Sequence, residues 1–266
     1  MLRSEGDTSD VSAPIADVLA RMQDRLDRLP PRLHSQRFFL TTYQRTTRAV
    51  GAALAQGRFE DPAWVERWDI VFAELYLSAL DAELAGTGRV PRPWQLAFAA
   101  APPLHALAHV LLGVNAHINY DLPQALIGVI SEAEFADAEL MGKRRRDHER
   151  IDDVLASRVA AENQELVAAG GQSLLDRLLG PVNRRASRRF LAEARRKVWH
   201  NTLELEAARR GPAEQYAVRL AELELLSAAK IDDLLRPGQV LLRLAIAGFG
   251  VTLPPPDGGR AGEPAR

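Results

Sequence analysis

Apolar residues recur every three to four positions along nearly the whole chain, the interval that lines one face of an α-helix, and β-branched runs are scarce. The pattern predicts an all-α protein with no convincing strand. A first helix is expected over residues 14–29, stopped by Pro30-Pro31. A second runs over 37–56, with Phe39, Leu40, Tyr43, Thr47, Val50 and Leu54 along its stripe and Gly57 as its stop. Asp61-Pro62 opens a third, over 61–84, whose stripe of Val65, Trp68, Phe72, Leu75, Tyr76 and Leu80 faces a core before Gly86 and Gly88 close it. A short helix is expected over 94–100.

From Pro103 to Tyr120 the segment PLHALAHVLLGVNAHINY is apolar on almost every side, which in a globular chain marks a helix through the middle of the fold. Pro123 has no amide hydrogen and crowds the preceding turn, so this helix is expected to kink or end near Asp121, with another over 124–130. Long helices follow over 146–169, 183–209 and 213–235, broken at Gly170-Gly171, Gly180-Pro181 and Gly211-Pro212. A last apolar segment, 240–247, comes after Pro237-Gly238. The expected architecture is one domain over 13–250 with about ten helices around a buried central one, and a disordered Pro/Gly-rich tail over 251–266.

Composition narrows the function classes. With 34 basic against 35 acidic residues, no overall field draws the chain to nucleic acid or anionic lipid. The chain contains no cysteine, which excludes disulfides, thiolate metal sites and cysteine nucleophiles together and fits a reducing compartment. The first twelve residues carry no apolar stretch of the signal-peptide kind, and no run reaches about 18 uninterrupted apolar residues, so a cytoplasmic protein without a membrane span is expected.

The chemistry is concentrated in the central helix. His105, His109, Asn115, His117, Asn119 and Asp121 interrupt a segment otherwise built for burial. His117 and Asp121, four apart, lie about 40° from each other on one face, a spacing that lets two side chains reach one metal ion. His105 and His109 repeat that relation. His109 and His117 are separated by about 12 Å of rise, so they serve two ions, or His109 supports the site from behind. Asn115, Asn119 and Tyr43 are candidates for the supporting layer. Asp69, on the apolar stripe of its helix, and Asp147, four and seven residues before Ile151 and Val154, are the carboxylates best placed to add a ligand or a general base. His148 and Asp152 form a further four-residue pair, but Glu149, Arg150 and Asp153 suggest a wet flank.

Plainer readings compete at each position. His117 and Asp121 could form an ordinary buried hydrogen bond, or Asp121 could cap the helix that carries Pro123. Asn115 and Asn119 could link helices, Asp69 and Asp147 could be locked in ion pairs with arginines, and Tyr43, Trp68, Tyr76 and Trp94 could be core.

Several separated segments resemble the bacterial domain-of-unknown-function family numbered 5995: FLTTYQRTTRAV at 39–50, FEDPAWVERWDIVFAELYLSAL at 59–80, VPRPWQLAF at 90–98, HVLLGVNAHINYDLP at 109–123, DHERIDDVL at 147–155 and VWHNTLEL at 198–205. The HINYDL element is the most specific, and the resemblance spans residues 36–210. Where that family tends to have Asp-Phe and Asn in the fifth segment, this chain has His148 and Asp152. The resemblance implies a helical fold and no settled activity. A smaller likeness, confined to His117, Asp121 and Pro123, is to the zinc-dependent phospholipase C and single-strand nuclease superfamily, where the equivalent pair binds zinc.

Three functions follow as expectations. The first is a metal-dependent phosphoester hydrolase in which His117 and Asp121, with His109, hold Zn²⁺, Mn²⁺ or Fe²⁺, and Asp69 or Asp147 acts as base or further ligand. The second is a non-enzymatic helical protein whose polar cluster fixes the core or meets a small molecule beside Tyr43, Tyr76, Trp68 and Trp94. The third, a non-haem iron oxygenase, lacks the Glu-x-x-His signature. A nucleic-acid partner is disfavoured, because the basic runs at 143–146 and 184–189 have acidic neighbours and no recognition motif. A hydrolase requires His117, Asp121 and a distant acid within about 5 Å of one point; a structural cluster leaves them saturated in pairs.

Overall fold

The structure, a computed structural model, describes residues 11–100, 104, 106–168, 183–236 and 250–256; the side chains of 107, 155–168 and 183–192 fall outside that description. His105, the glycine breaks at 170–171 and 180–181, the arginine side chains at 184–189, the apolar segment 240–247 and residues 257–266 therefore lie outside the described residues. Among those described the chain is all-α. The helices are α1 (Ala13–Arg28), α2 (Gln36–Ala55), α3 (Pro62–Ala85), α4 (Arg92–Ala99), α5 (Ala106–Ala116), α6 (Leu122–Val129), α7 (Glu132–Ala136), α8 (Ala138–Ala168), α9 (Asn183–Arg209) and α10 (Ala213–Leu235). A π-helical turn, His117–Asp121, joins α5 to α6.

Local chemistry sets several boundaries. Pro62 occupies the first turn of α3, and the Asp61 carboxylate accepts the Trp64 amide at 3.0 Å. Gly86 ends the helix with φ 65°, a conformation that costs glycine nothing. At α7, Ser131 and Glu134 cap each other reciprocally. α8 begins eight residues before the expected start at 146, and its first turn is held by the Asp137 carboxylate, which accepts the amides of Glu139 and Leu140.

The rod formed by α5, the π turn and α6 runs through the middle, with α2, α3, α4, α9 and α10 packed around it. Leu112, Ala116, Leu122, Ala125 and Leu126 are buried along it, as the all-round apolar pattern requires. Gly113 faces Phe39 of α2 so closely that a Cβ there would overlap the ring. The rod does not end at Asp121. Pro123 supplies no amide for the carbonyl of Asn119, and the backbone widens by one residue instead, the Leu122 amide bonding to the carbonyl of His117.

The first residues of the expected tail, 251–256, differ from expectation. Residues 250–256 form a strap across α9 and α10. The Leu253 side chain is fully buried against Tyr120, Ile127, Leu205 and Leu223, its amide donates to Asn201 at 2.9 Å, and Arg219 donates to the carbonyl of Pro254 at 2.6 Å. Three prolines and a glycine suggest disorder by composition, yet one apolar side chain and a set of donors from α9 and α10 hold the segment in place.

Candidate functional site

The π turn carries the HINYDL element. His117 Nδ1 lies 2.8 Å from Asp121 Oδ2, and the same oxygen accepts the indole N–H of Trp94, on α4, at 2.9 Å. Indole nitrogen is only a donor, so Oδ2 accepts from Trp94; with the carboxyl ionised, or protonated on Oδ1, Oδ2 also accepts from the histidine and the shared proton sits on Nδ1. Nε2 is then left with its lone pair. It is buried and meets no hydrogen-bond partner. Asp121 makes no side-chain cap to α6, so it serves the histidine and not the helix start.

Aromatic rings enclose the imidazole. Phe72 of α3 stacks on it at 3.5 Å with planes 6° apart, and Tyr43 of α2 meets it edge-on at 4.5 Å. Phe39, Tyr76 and Trp94 each lie 5.9 Å away, ring centre to ring centre. The hydroxyl of Tyr76 is buried without a hydrogen-bond partner, and that of Tyr43 is buried beside Thr47. Burial sets the protonation of the whole cluster: it pulls His117 well below the usual imidazole range and pushes Asp121 well up, the Trp94 N–H drawing the carboxyl part of the way back. Burial also raises both phenols, and for Tyr43 the nearby carboxylates of Asp69 and Asp121 add to the rise. The product is a neutral imidazole in a fixed tautomer, its bare nitrogen a hydrogen-bond acceptor and a base.

A scan against family models matches residues 15–237 to a family of unknown function, DUF5995. The chain belongs to that family. No curated protein and no solved structure matches it. The DUF5995 match contains the whole His117 cluster, with α2, α3, α4 and the π turn that build it.

The other residues singled out by sequence separate into distinct surroundings in this DUF5995 chain. Tyr43 stands against His117, as expected of a supporting residue. Asn115 and Asn119 do not: Asn115 donates to the carbonyl of Leu111, Asn119 donates to Asn115, and Asn119 Oδ1 accepts the Val251 amide of the strap. Two residues along a helix turn to its opposite side, which is why these amides face the strap while His117 and Asp121 face the rings. His109, two turns earlier, is buried beside Phe38, with ring centres 6.2 Å apart, and does not join His117. Asp147 is committed elsewhere. Its two oxygens accept the amides of Glu60 and Asp61 at 2.8 Å each, and Arg150 donates to it at 2.8 Å, so it fastens the loop before α3, away from His117. Asp69 is buried with Oδ2 unpartnered, and burial pushes its carboxyl to about 7.

These positions do not fit a metal shell. Among the described residues no three His, Asp or Glu side chains converge to hold an ion. His117 Nδ1 and Asp121 Oδ2 are taken up by each other and by Trp94, His109 is remote, and Asp147 is committed to Glu60, Asp61 and Arg150. The likeness to the zinc-dependent superfamily therefore finds no matching donor set here. Three contributors escape the sequence reading: Trp94 as the anchor of Asp121, Phe72 as the stacking partner of His117, and His148, which is buried and not on a wet flank.

Proposed function

We propose that this protein binds a small molecule with a hydroxyl or N–H donor on a compact apolar body, among the rings packed around His117, with Nε2 accepting a hydrogen bond from it. One observation carries this reading. A histidine whose Nδ1 is held by a doubly bonded carboxylate keeps Nε2 bare, beside the buried Tyr76 hydroxyl, which also lacks a partner. Each such atom left unsatisfied costs the folded state about 1–3 kcal/mol. A donor-bearing ligand offsets that cost, and the five rings supply its apolar contacts.

The metal-dependent hydrolase stands second, because it needs a third donor that the described residues do not bring to His117. A small-molecule partner also suits the basic run of α8 better than nucleic acid does: Arg144, Arg145 and Arg146 each engage a carboxylate, of Asp61 and Glu134, Glu149 and Glu60 respectively. Among the described residues no helix is long and apolar enough to cross a membrane. The cysteine-free composition favours a cytoplasmic site of action.

The test compares p-cresol and indole, which carry a donor, with toluene, which does not, by thermal shift and calorimetry on the full chain and on His117→Phe. The variant keeps a planar ring and removes the acceptor. Saturable stabilisation by a donor-bearing probe beyond that of toluene, abolished in His117→Phe, is the expected result. Equal responses to all three probes contradict the reading.

A further inference from the structure

A second group of buried polar atoms lies away from His117, where α3, α8 and α9 meet. The His148 ring, on α8, packs between Trp68 of α3 at 6.3 Å and Trp199 of α9 at 5.6 Å. Both of its nitrogens are buried without a hydrogen-bond partner. One turn along α8, Asp152 accepts Arg195 Nε at 2.8 Å, and Arg195 precedes Trp199 by one turn of α9. The guanidinium is itself buried, its side chain 7% exposed, and its Nη1 has no partner. The indole N–H of Trp68 and one carboxylate oxygen of Asp69 complete the set of unpartnered atoms. The charge of Arg195 acts on both Asp69 and His148.

The chemistry of this group is that of a donor-rich interior. Arg195 is a permanent cation, and among the described residues only its Nε is matched to a carboxylate; its Nη1 N–H bonds meet no acceptor there. The Trp68 nitrogen can only donate, and His148 offers an N–H in either tautomer. Three buried donors and a fixed positive charge, next to the rings of Trp68 and Trp199 that hold His148, match a small oxyanion held on Arg195 Nη1. Burial raises the Asp69 carboxyl to about 7, so below neutrality it is protonated and available as a fourth donor, and above neutrality its charge opposes such a guest.

We propose that Arg195, His148 and Trp68 form an inner binding site for a small oxyanion, a carboxylate or a phosphate, distinct from the His117 cage. The probes are sodium acetate and inorganic phosphate, titrated against sodium chloride of equal ionic strength, with thermal stability and the His148 ring resonances as readouts. One of the two anions is expected to raise the melting temperature saturably and to shift the His148 signals. A carboxylate site answers acetate and a phosphate site answers phosphate. The response should weaken by about tenfold or more in Arg195→Lys, which keeps the charge but loses the fork, and vanish in Arg195→Met, while His117→Phe leaves it intact. If Arg195→Met does not fold, the comparison of wild type with Arg195→Lys and with His148→Phe decides. A response equal to that of chloride, or one retained in the Arg195 and His148 variants, overturns the proposal.

Discussion

Asp69→Asn should change how the stability of the protein depends on pH. Asp69 lies on the inward face of α3, and burial raises its carboxyl from 3.8 to about 7, Arg195 of α9 drawing it down and Glu66 of the same helix pushing it further up. Tyr43 of α2 is the neutral neighbour within its field. An acid whose folded value lies above its unfolded value is held protonated by the fold. Its contribution to stability is therefore full below about pH 4 and is lost as pH rises through about 7. At 1.36 kcal/mol per pH unit, the interval from 3.8 to about 7 corresponds to about 4 kcal/mol. Asparagine has the same shape and no proton to lose. Urea unfolding of both proteins from pH 4 to pH 8 should show the difference in stability moving in favour of Asp69→Asn by a few kcal/mol, with most of the change between pH 4 and 7. His117, His148 and Asp121 also titrate differently in the folded chain, but they are common to both proteins and cancel in the difference. A difference that stays constant over this range would refute the placement of Asp69 as an unpaired carboxyl in the core.

Trp94→Phe removes the indole donor to Asp121 and should cost about 1–3 kcal/mol in denaturant unfolding, with the Nδ1 proton of His117 exchanging faster with solvent. Asp147→Asn should cost a similar amount, about 1–3 kcal/mol, because it removes the charge facing Arg150 and one of the two amide acceptors; the His117 ring resonances should stay in place. Gly113→Ala gains about 1 kcal/mol of helix propensity but drives a methyl into the Phe39 ring, and overpacking costs about 1–3 kcal/mol, so a net loss of thermal stability is expected.

The helical class, the buried central rod and the start of α3 at Asp61-Pro62 are legible in the sequence because each rests on local rules: periodicity, an all-round apolar surface, and a cap followed by proline. Pro123 signals a disturbance at Asp121 for the same reason, although a missing amide alone does not say whether a helix will end or widen. His148 shows how a local reading fails. Arg144, Asp147, His148, Ile151 and Val154 recur at three and four and are all buried, so the inward stripe is present in the sequence. The charges of Glu149, Arg150 and Asp153 between them suggest a wet face instead. Trp94 and Phe72 could not be assigned to His117 from spacing, because they reach it from α4 and α3 through the packing of separate helices. The choice between a metal shell and a paired dyad likewise depends on where Asp69, His109 and Asp147 come to rest, and no spacing within one helix fixes that.

The most direct measurement is a long-range ¹H–¹⁵N spectrum of the histidine rings, with His117 assigned by loss of its signals in His117→Phe. The account predicts a neutral ring with the proton on Nδ1, an unprotonated Nε2 that stays so down to pH 5, and a change in the Nε2 shift when p-cresol or indole is added. A ring protonated on Nε2, or one that ionises near pH 6.5, would contradict a bare acceptor held in the core by Asp121 and Trp94.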